Sequence, residues 1–416
     1  MNTLSIVQKL PPMLVGTHLE EHLSILPNYD EDIIYENEAI RLIALSDLYR
    51  VFIPTQMSKE IYTRMYLALL RSLEKKERKA VVKQYNENYK AIQEQTYSGI
   101  IGGSDSFTII GASGIGKSSA VSRTMQLLSA SEIIEIKKPF SKIIPCVLVQ
   151  TPFDSSIKGL LYETLRVVDE KLGSKYYVNA VRARSTTDML IGAVSQVALN
   201  HIGLLVVDEI QHVVNHKNGK TLINCLTHLI NNSGISIAMI GTPECAAFFT
   251  QAMPLARRAL GLHYESMDYC EDFFHLCKTL YGYQYVKNRS TLDSSTVQWL
   301  YEHSGGNIST IVSLLHDAQE IAILNGSEIL NLDTLRNAYQ SRITMLHPYI
   351  ASPKKRQTSA VKKEDTIFTP GSSQKQLECD TQEIESIYAL IMRAKNEHMD
   401  TVSFLKNYIP VEVVSI

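Results

Sequence analysis

Between residues 107 and 267, short apolar runs alternate with amphipathic stretches of helical spacing. Most runs are β-rich and apolar on both faces, which is typical of strands in a parallel sheet that is covered on both sides. The runs are Phe107–Ile110, Cys146–Gln150, Leu204–Val207, Ile237–Ile240 and Leu262–Met267. Stretches such as Ser118–Ser129 and Ser156–Leu172 are long enough for crossover helices. The alternation predicts an α/β core.

Residues 268–346 contain no convincing strand and carry four segments of helical spacing instead. The segments are Asp272–Tyr281, Ser294–His303, Asn307–Gly326 and Asp333–Ile343. Each begins with a polar residue that favours the N-cap position. We therefore predict a small all-helical domain after the α/β core.

The remaining segments differ in charge and in amino-acid composition. Seven acidic residues against a single lysine predict a partly ordered acidic arm at the N-terminus, and an apolar stripe (Ile61, Met65, Ala68, Leu69) predicts helix after it. The C-terminal segment begins as a Lys-, Ser-, Thr- and Pro-rich linker. The predicted organisation is an arm (1–40), a helical entry segment (41–100), the core (101–267), the helical domain (268–346), and a flexible linker with a partner-binding tail (347–416).

Composition narrows the class of protein. The 416 residues allow two or three domains, and 45% hydrophobic with 20% charged residues is a usual globular mixture. Because 41 Lys and Arg face 43 Asp and Glu, any nucleic-acid contact has to come from a local basic surface. No apolar run approaches the roughly 18 residues that a membrane span needs. Six scattered cysteines without a C-x-x-C pair indicate reduced thiols, so we expect a soluble cytoplasmic protein.

The strongest chemical signal is the segment from Gly111 to Ser118, which matches G-x-x-x-x-G-K-[ST] between a strand and a helix. Glycines let successive backbone N–H groups turn toward phosphate oxygens, and the helix N-terminus adds positive potential. We expect Lys117 to reach the β- and γ-phosphates of ATP and Ser118 to bind Mg²⁺. The predicted nucleotide-binding residues are Gly111, Ala112, Ser113, Gly114, Ile115, Gly116, Lys117, Ser118 and Ser119.

A second signal is the run of four apolar residues that ends in Asp208 and Glu209. Such a strand delivers both carboxylates to the sheet edge where the phosphate loop lies. Asp208 is the predicted Mg²⁺ partner, and Glu209 is predicted to orient and polarise the attacking water. The pair therefore predicts an ATP-hydrolysing enzyme. His212 fits a structural or supporting role better than that of a metal ligand.

Two further positions complete the predicted catalytic set. Thr242 follows the fourth run and is expected either to sense the γ-phosphate or fix the water, or to serve as a turn-forming hydroxyl. Arg257 and Arg258 precede the fifth run. They fit an arginine finger for a neighbouring subunit's nucleotide, or else an ordinary surface ion pair.

Together these motifs resemble those of AAA+ ATPases, and within them TnsC and the shorter TniB proteins, which regulate target selection in DNA transposition. The segments that carry the resemblance are Arg50–Gln56, Ile61–Tyr66, Asp208–His212, Gly241–Glu244, Leu255–Arg258 and Ser304–Ile308. The resemblance implies an α/β AAA+ P-loop NTPase with a five-stranded parallel sheet of order 5-1-4-3-2 and a C-terminal helical lid. It also implies an ATP-bound ring or filament on duplex DNA that links a target selector to a transposase and disassembles on hydrolysis.

The sequence departs from many AAA+ proteins at Asn307–Val312, where the lid carries no arginine to sense nucleotide. DNA contact would track phosphates without reading bases. Candidates are Ser155, Ser156, Lys158, Lys175, Arg182 and Arg184, with Lys137, Lys138 and Lys142 as a weaker set. Each fits a solvated surface residue equally well.

Two other functions stay open at this point. One is another AAA+ DNA machine, of the replication-initiator or helicase-loader type, which predicts a DNA-reading domain after the lid. The other is a nucleotide-switched signalling scaffold, which predicts ATP turnover that ignores DNA.

Overall fold

The computed structural model describes residues 7–77, 106–129, 133–137, 140–152, 156–214, 219–245 and 261–343, all within a compact unit that spans Met1–Lys355. The predicted tail 347–416, the end of the entry segment (78–100) and the Arg257–Arg258 pair lie outside these ranges. No helix of the described residues is long and apolar enough to cross a membrane.

Six described strands form one sheet. They are β1 (Phe107–Gly111), β2 (Ile134–Lys137), β3 (Phe140–Gln150), β4 (Ile202–Asp208), β5 (Ser236–Gly241) and β6 (Leu262–Tyr264). Their order is β2-β3-β4-β5-β1-β6, and every pair is parallel except β2 with β3. The five parallel strands thus follow the expected order 5-1-4-3-2, and the α/β class is confirmed.

The sheet differs from the prediction at both edges. We did not predict β2, because its four residues, Ile-Glu-Ile-Lys, alternate apolar and charged residues over too short a stretch to stand out. At the other edge β6 ends at Tyr264, three residues earlier than predicted. Both deviations fall on edge strands, which are paired on one side alone and carry a weaker apolar signal than the buried β1, β4 and β5.

Helices cover both faces of the sheet and form the lid. They are α1 (Gly16–Leu23), α2 (Glu38–Ala44), α3 (Gln56–Glu77), α4 (Lys117–Leu128), α5 (Ile157–Leu172), α6 (Tyr176–Arg182), α7 (Thr187–His201), α8 (Gln211–Val214), α9 (Gly219–Ser233), α10 (Glu271–Gly282), α11 (Ser294–Ser304), α12 (Ile308–Leu324) and α13 (Leu332–Ala338). Helices α3 and α4 pack on one face of the sheet, and α5, α7 and α9 on the other. This layering explains why the central strands are apolar on both sides.

Helices α10 to α13 bury a further apolar cluster, to which Leu45 and Leu48 of the entry segment also belong. Of the predicted N-caps, Asn307 caps α12 by accepting from Thr310 N, whereas the other three predictions were one or two residues too late. Helix α11 is capped by Asp293 and α13 by Asn331. The capping residue Asp293 directly precedes the predicted Ser294, and Asn331 lies two residues before the predicted Asp333.

The N-terminal acidic segment packs against two parts of the molecule. Leu23 is fully buried in the α3–α4 face, and its carbonyl accepts from Arg123 Nε at 3.0 Å. Further along, Tyr29 packs on the lid cluster. Residues 7–44 therefore bridge the sheet and the lid.

A buried ion pair anchors α2 to the lid. Arg41 is fully buried, and its Nη1 and Nη2 each donate to a different Glu328 carboxylate oxygen at 2.7 Å. The same guanidinium also donates to the carbonyl oxygens of Tyr285 and Glu36. Hydrogen bonds from Arg41 hold the pKa of Glu328 below its ordinary value, although burial opposes this effect. Every polar atom of the guanidinium is thereby engaged in a planar arrangement that lysine cannot copy.

We expect Arg41→Met to lower the free energy of unfolding by about 3–5 kcal/mol, because it removes the two short hydrogen bonds that a buried carboxylate receives from Arg41. Denaturant unfolding of the full chain at pH 7 measures this loss. The matched control is Arg50→Met, since Arg50 pairs with Asp47 at 3.0 Å but is 73% exposed. Such a pair contributes about 0–1 kcal/mol.

The difference between wild type and Arg41→Met also depends on pH. Because the folded-state pKa of Glu328 is depressed, its contribution is present above its ordinary pKa of 4.5 and is lost as pH falls through the folded value. The difference is therefore expected to shrink in acid. An equal loss at pH 7 and pH 3 would show that the pair contributes no electrostatic stabilisation.

Candidate nucleotide-binding site

The glycine-rich loop between β1 and α4 has a shape that side chains would obstruct. A Cβ on Gly111 would stand 2.6 Å from Ile115 Cδ1 and 2.7 Å from the Tyr264 carbonyl oxygen. Gly114 and Gly116 have φ of +81° and +97°, in the region that favours glycine. The loop therefore keeps its backbone accessible at the N-terminus of α4, the arrangement that binds anions.

Lys117 begins α4 and is almost fully buried. Its Nζ donates to the carbonyl oxygens of Gly111 and Ala112 at 2.7 Å each, which holds the side chain over the loop. Burial lowers the pKa of Lys117, and the neighbouring Asp208 and Glu209 oppose this by attraction. An anionic ligand beside the ammonium would stabilise its charged form further.

Asp208 ends β4 next to Ser118. Burial raises the pKa of Asp208, while hydrogen bonds from the Glu209 N–H, at 2.8 Å, and from the Ser118 hydroxyl lower it. A hydroxyl and a carboxylate in contact are hard oxygen donors of the kind Mg²⁺ prefers. The predicted pair Ser118 and Asp208 would thus fit as ligands of a magnesium ion.

Glu209 takes a left-handed backbone conformation, with φ of +58°. Its side chain is 44% exposed and accepts a hydrogen bond from Gln211 Nε2. His212 Nε2 lies 3.6 Å from the same oxygen, Oε2. A non-glycine residue with positive φ is strained, and such strain concentrates at functional sites. We did not predict that Gln211 contacts this acid.

Thr242 follows β5, the strand beside β4. Its hydroxyl oxygen is buried and has no hydrogen-bonding oxygen or nitrogen among the described residues; the Cys245 thiol is its neighbour. A buried polar atom without such a partner is unfavourable unless a ligand or water binds to it. Thr242 therefore stands ready to contact a bound group.

These predicted residues line one cavity of about 340 Å³, into which Lys117, Ser118, Asp208, Glu209 and Thr242 all face. From the loop, Ser113, Gly114, Ile115, Gly116 and Ser119 line it as well. The glycine-rich loop and the strand-end acids therefore open onto the same space, which the proposed chemistry requires.

The remaining wall of the cavity is apolar and was not predicted. The entry segment contributes Val51, Phe52 and Ile53, and the lid contributes Leu276, Leu280 and Val312. Such a wall suits a flat, weakly polar base. Motif spacing could not reveal these residues, because they come from segments more than 200 residues apart.

The lid also touches the loop directly. Asn307 Nδ2 donates to the Ser113 carbonyl oxygen at 2.7 Å, and Ser309 N donates to the Gly114 carbonyl oxygen at 3.0 Å. Among the described residues, none of those that the lid contributes to the cavity is basic. The lid start thus meets the loop through neutral polar groups, consistent with the missing arginine.

The candidate DNA-contacting residues group around α5 and α6. Lys175, Arg182 and Arg184 are exposed, and Arg184 has φ of +49°. Ser156 caps α5 through its hydroxyl, and Lys158 Nζ lies 5.7 Å from a tyrosine ring centroid. Both are half-buried.

Most of the remaining predicted finger and DNA-contacting residues either lie outside the described part of the chain or have an acidic neighbour. Ser155, Arg257 and Arg258 lie outside the described residues, as does Lys138 of the weaker set. Lys142, from the same set, lies 3.5 Å from Glu135, so part of its charge is compensated.

Comparisons with known proteins agree with this architecture. Residues 101–249 match the family model of the AAA domain, a group of nucleotide-hydrolysing domains. No curated protein matches the chain significantly.

Solved structures similar to this chain include two ORC proteins and a DnaA domain. The Aeropyrum pernix Orc1 protein in complex with DNA is 14% identical, with a TM-score of 0.42 over 62% of this chain, which spans only 64% of the length of that protein. A Drosophila ORC chain bound to DNA is 14% identical, with a TM-score of 0.43 over 99% of this chain and 86% of that one. Domain III of the Thermotoga maritima replication initiation protein DnaA is 13% identical, with a TM-score of 0.33 over 62% of this chain and 89% of that domain. The sheet order, the loop and the matched segment identify an AAA+ P-loop NTPase fold that carries an AAA domain.

Proposed function

We propose that this chain is a cytoplasmic, Mg²⁺-dependent ATPase that assembles on duplex DNA as a nucleotide-controlled switch. The observation that carries the proposal is the single cavity shared by Lys117, Ser118, Asp208, Glu209 and Thr242. A lysine, a hydroxyl–carboxylate pair and a second acid in one cavity are the groups that phosphoryl transfer needs.

In this proposal Lys117 donates to phosphate oxygens, and Ser118 and Asp208 hold the ion. When bound, Mg²⁺ compensates charge on the phosphates. Glu209 and Thr242 orient the attacking water. The water oxygen forms the new bond to the γ-phosphorus while the bond to the β–γ bridging oxygen breaks. Its electron pair leaves with ADP, and the water proton is released through Glu209.

The apolar wall is the proposed site for the base. Because the entry segment and the lid both contribute to it, a bound nucleotide would touch the loop and both flanking segments at once. Nucleotide occupancy would then bias the position of the lid, and assembly would follow ATP binding.

For DNA we propose the basic surface around α5 and α6, with Lys175, Arg182 and Arg184 as phosphate contacts. These cations are exposed, and phosphate contacts of this kind bind duplex DNA without reading its sequence. Arg257 or Arg258 would complete the nucleotide site of a neighbouring subunit in a ring or filament.

We further propose that this ATPase regulates transposition by linking a target-selecting protein to the transposase, with the tail 347–416 as the tether. This proposal rests on the resemblance to TnsC and TniB proteins. A replication-initiator or helicase-loader type of machine is the alternative. Competition with random-sequence duplexes separates the two, because an initiator that reads its site resists competition and a phosphate-tracking assembly does not.

The double variant Arg182→Ala and Arg184→Ala is expected to weaken DNA binding and to reduce the salt slope of log K by about 1.8, or about 0.9 for each phosphate contact. Binding is measured at several salt concentrations with a non-hydrolysable ATP analogue. The matched control is Arg166→Ala, because Arg166 is held between Glu163 at 2.6 Å and Glu170 at 3.2 Å.

An unchanged salt slope in the double variant would exclude this surface as the DNA contact. Microscopy of the same samples tests assembly. ATP turnover that ignores DNA, without rings or filaments, would favour the signalling scaffold instead.

A further inference from the structure

The orientation of the Gln211 amide follows from its partner. An ionised carboxylate has no proton to donate, so the group that meets Glu209 Oε2 has to be the amide nitrogen, Nε2. The amide oxygen, Oε1, then points away from Glu209. A Cβ on Gly241 at the tip of β5 would stand 3.4 Å from this oxygen, so Gln211 spans from the acid of β4 to the end of β5.

Two buried oxygen atoms near the tip of β5 lack a hydrogen-bond partner in the described part of the chain. Gln211 Oε1 and Thr242 Oγ1 are both buried and have no hydrogen-bond partner among the described oxygen and nitrogen atoms. Both residues line the cavity together with Glu209. Because the amide oxygen is buried at the tip of β5, the amide is held at that end and its nitrogen is left to contact Glu209.

We propose that Gln211 is a positioning residue for ATP hydrolysis, which fixes the Glu209 carboxylate through its amide nitrogen while its amide oxygen is packed at the tip of β5. The inference rests on the proposed ATPase function of the same cavity. This role gives a reason for a glutamine two residues after Glu209. Glu209 has a strained backbone, and the hydrogen bond from Gln211 holds its side chain in place.

The alternative is that Gln211 merely fills space between the ends of β4 and β5. Gln211→Met separates these roles, because methionine has a similar volume but neither donor nor acceptor. Gln211→Glu keeps one acceptor oxygen, replaces the amide donor with a second acceptor and sets a second carboxylate against Glu209. Gln211→Ala removes both packing and hydrogen bonds.

The experiment measures kcat and KM for ATP with the full chain, together with the Kd of a fluorescent non-hydrolysable ATP analogue. For Gln211→Met and Gln211→Glu we expect kcat to fall by about 10- to 100-fold while KM and Kd stay near the wild-type values, since a misplaced water and carboxylate affect the chemical step. The matched control is Gln298→Met on the lid, because Gln298 Nε2 donates to Glu302 at 2.9 Å and neither residue lines the cavity. Its kcat is expected to be unchanged.

Wild-type kcat in Gln211→Met would overturn the positioning role and leave the proposed ATPase intact. A rise in KM and Kd with kcat unchanged would likewise overturn it, because Gln211 would then support nucleotide binding. If the wild-type chain with DNA and Mg²⁺ hydrolysed no ATP while Kd stayed measurable, both the proposed ATPase function and this inference would fail together.

Discussion

Glu209→Gln is expected to lower kcat for ATP hydrolysis by roughly 100- to 10 000-fold and to leave ATP binding intact. The substitution keeps the size of the side chain but removes the negative charge that polarises the attacking water. Because binding of phosphates depends on Lys117 and the loop, the variant should still assemble on DNA and remain there. Single-turnover hydrolysis, ATP affinity and microscopy with DNA measure the three effects.

Glu170→Gln is the matched control, since Glu170 is an exposed acid on α5 whose partner is Arg166. It should hydrolyse ATP at the wild-type rate. If Glu209→Gln did so as well, Glu209 would not be the acid that orients water, and Asp208 would be the remaining candidate in the cavity.

Lys117→Ala is expected to weaken ATP binding by at least about 100-fold and to abolish DNA assembly with it. A hydrogen bond to a charged group contributes roughly 1.5–3 kcal/mol, and the variant also removes the positively charged side chain that opposes Asp208 and Glu209 in the cavity. Titration with a fluorescent ATP analogue gives the affinity, and sedimentation with duplex DNA gives the assembly.

Lys59→Ala is the control for Lys117→Ala, because Lys59 pairs with Glu20 at 2.9 Å outside the cavity. It should bind ATP normally. DNA assembly that survives in Lys117→Ala despite lost ATP binding would contradict the proposed switch, since DNA binding would then be independent of nucleotide.

The core fold was predictable from the sequence because its signals are local. The central strands β1, β4 and β5 are short runs that are buried on both faces, so the pattern stands out in five to seven consecutive residues. The phosphate loop combines a strand, a helix start and glycines with positive φ within one short segment. Edge elements such as β2 were missed because half-exposed strands carry a mixed pattern.

The candidate site was predictable in its polar half alone. The parallel topology predicted that the glycine-rich loop and the acids at the end of β4 lie close together, because the carboxyl ends of parallel strands meet at one edge of the sheet. The apolar half could not, because Ile53 and Leu276 meet only through tertiary packing. For Asn307, the sequence predicted the N-cap role but not the hydrogen bond to the Ser113 carbonyl oxygen.

By itself, the sequence determined the central strands β1, β4 and β5, the glycine-rich loop and the acids at the end of β4, because each depends on neighbours within a few residues. Tertiary structure alone decided that Arg41 is buried against Glu328, that the entry segment and the lid close the cavity, and that Gln211 reaches between Glu209 and the tip of β5. Those contacts depend on the packing of distant segments and on the hydrogen bonds that buried polar atoms need. No local sequence pattern predicts them.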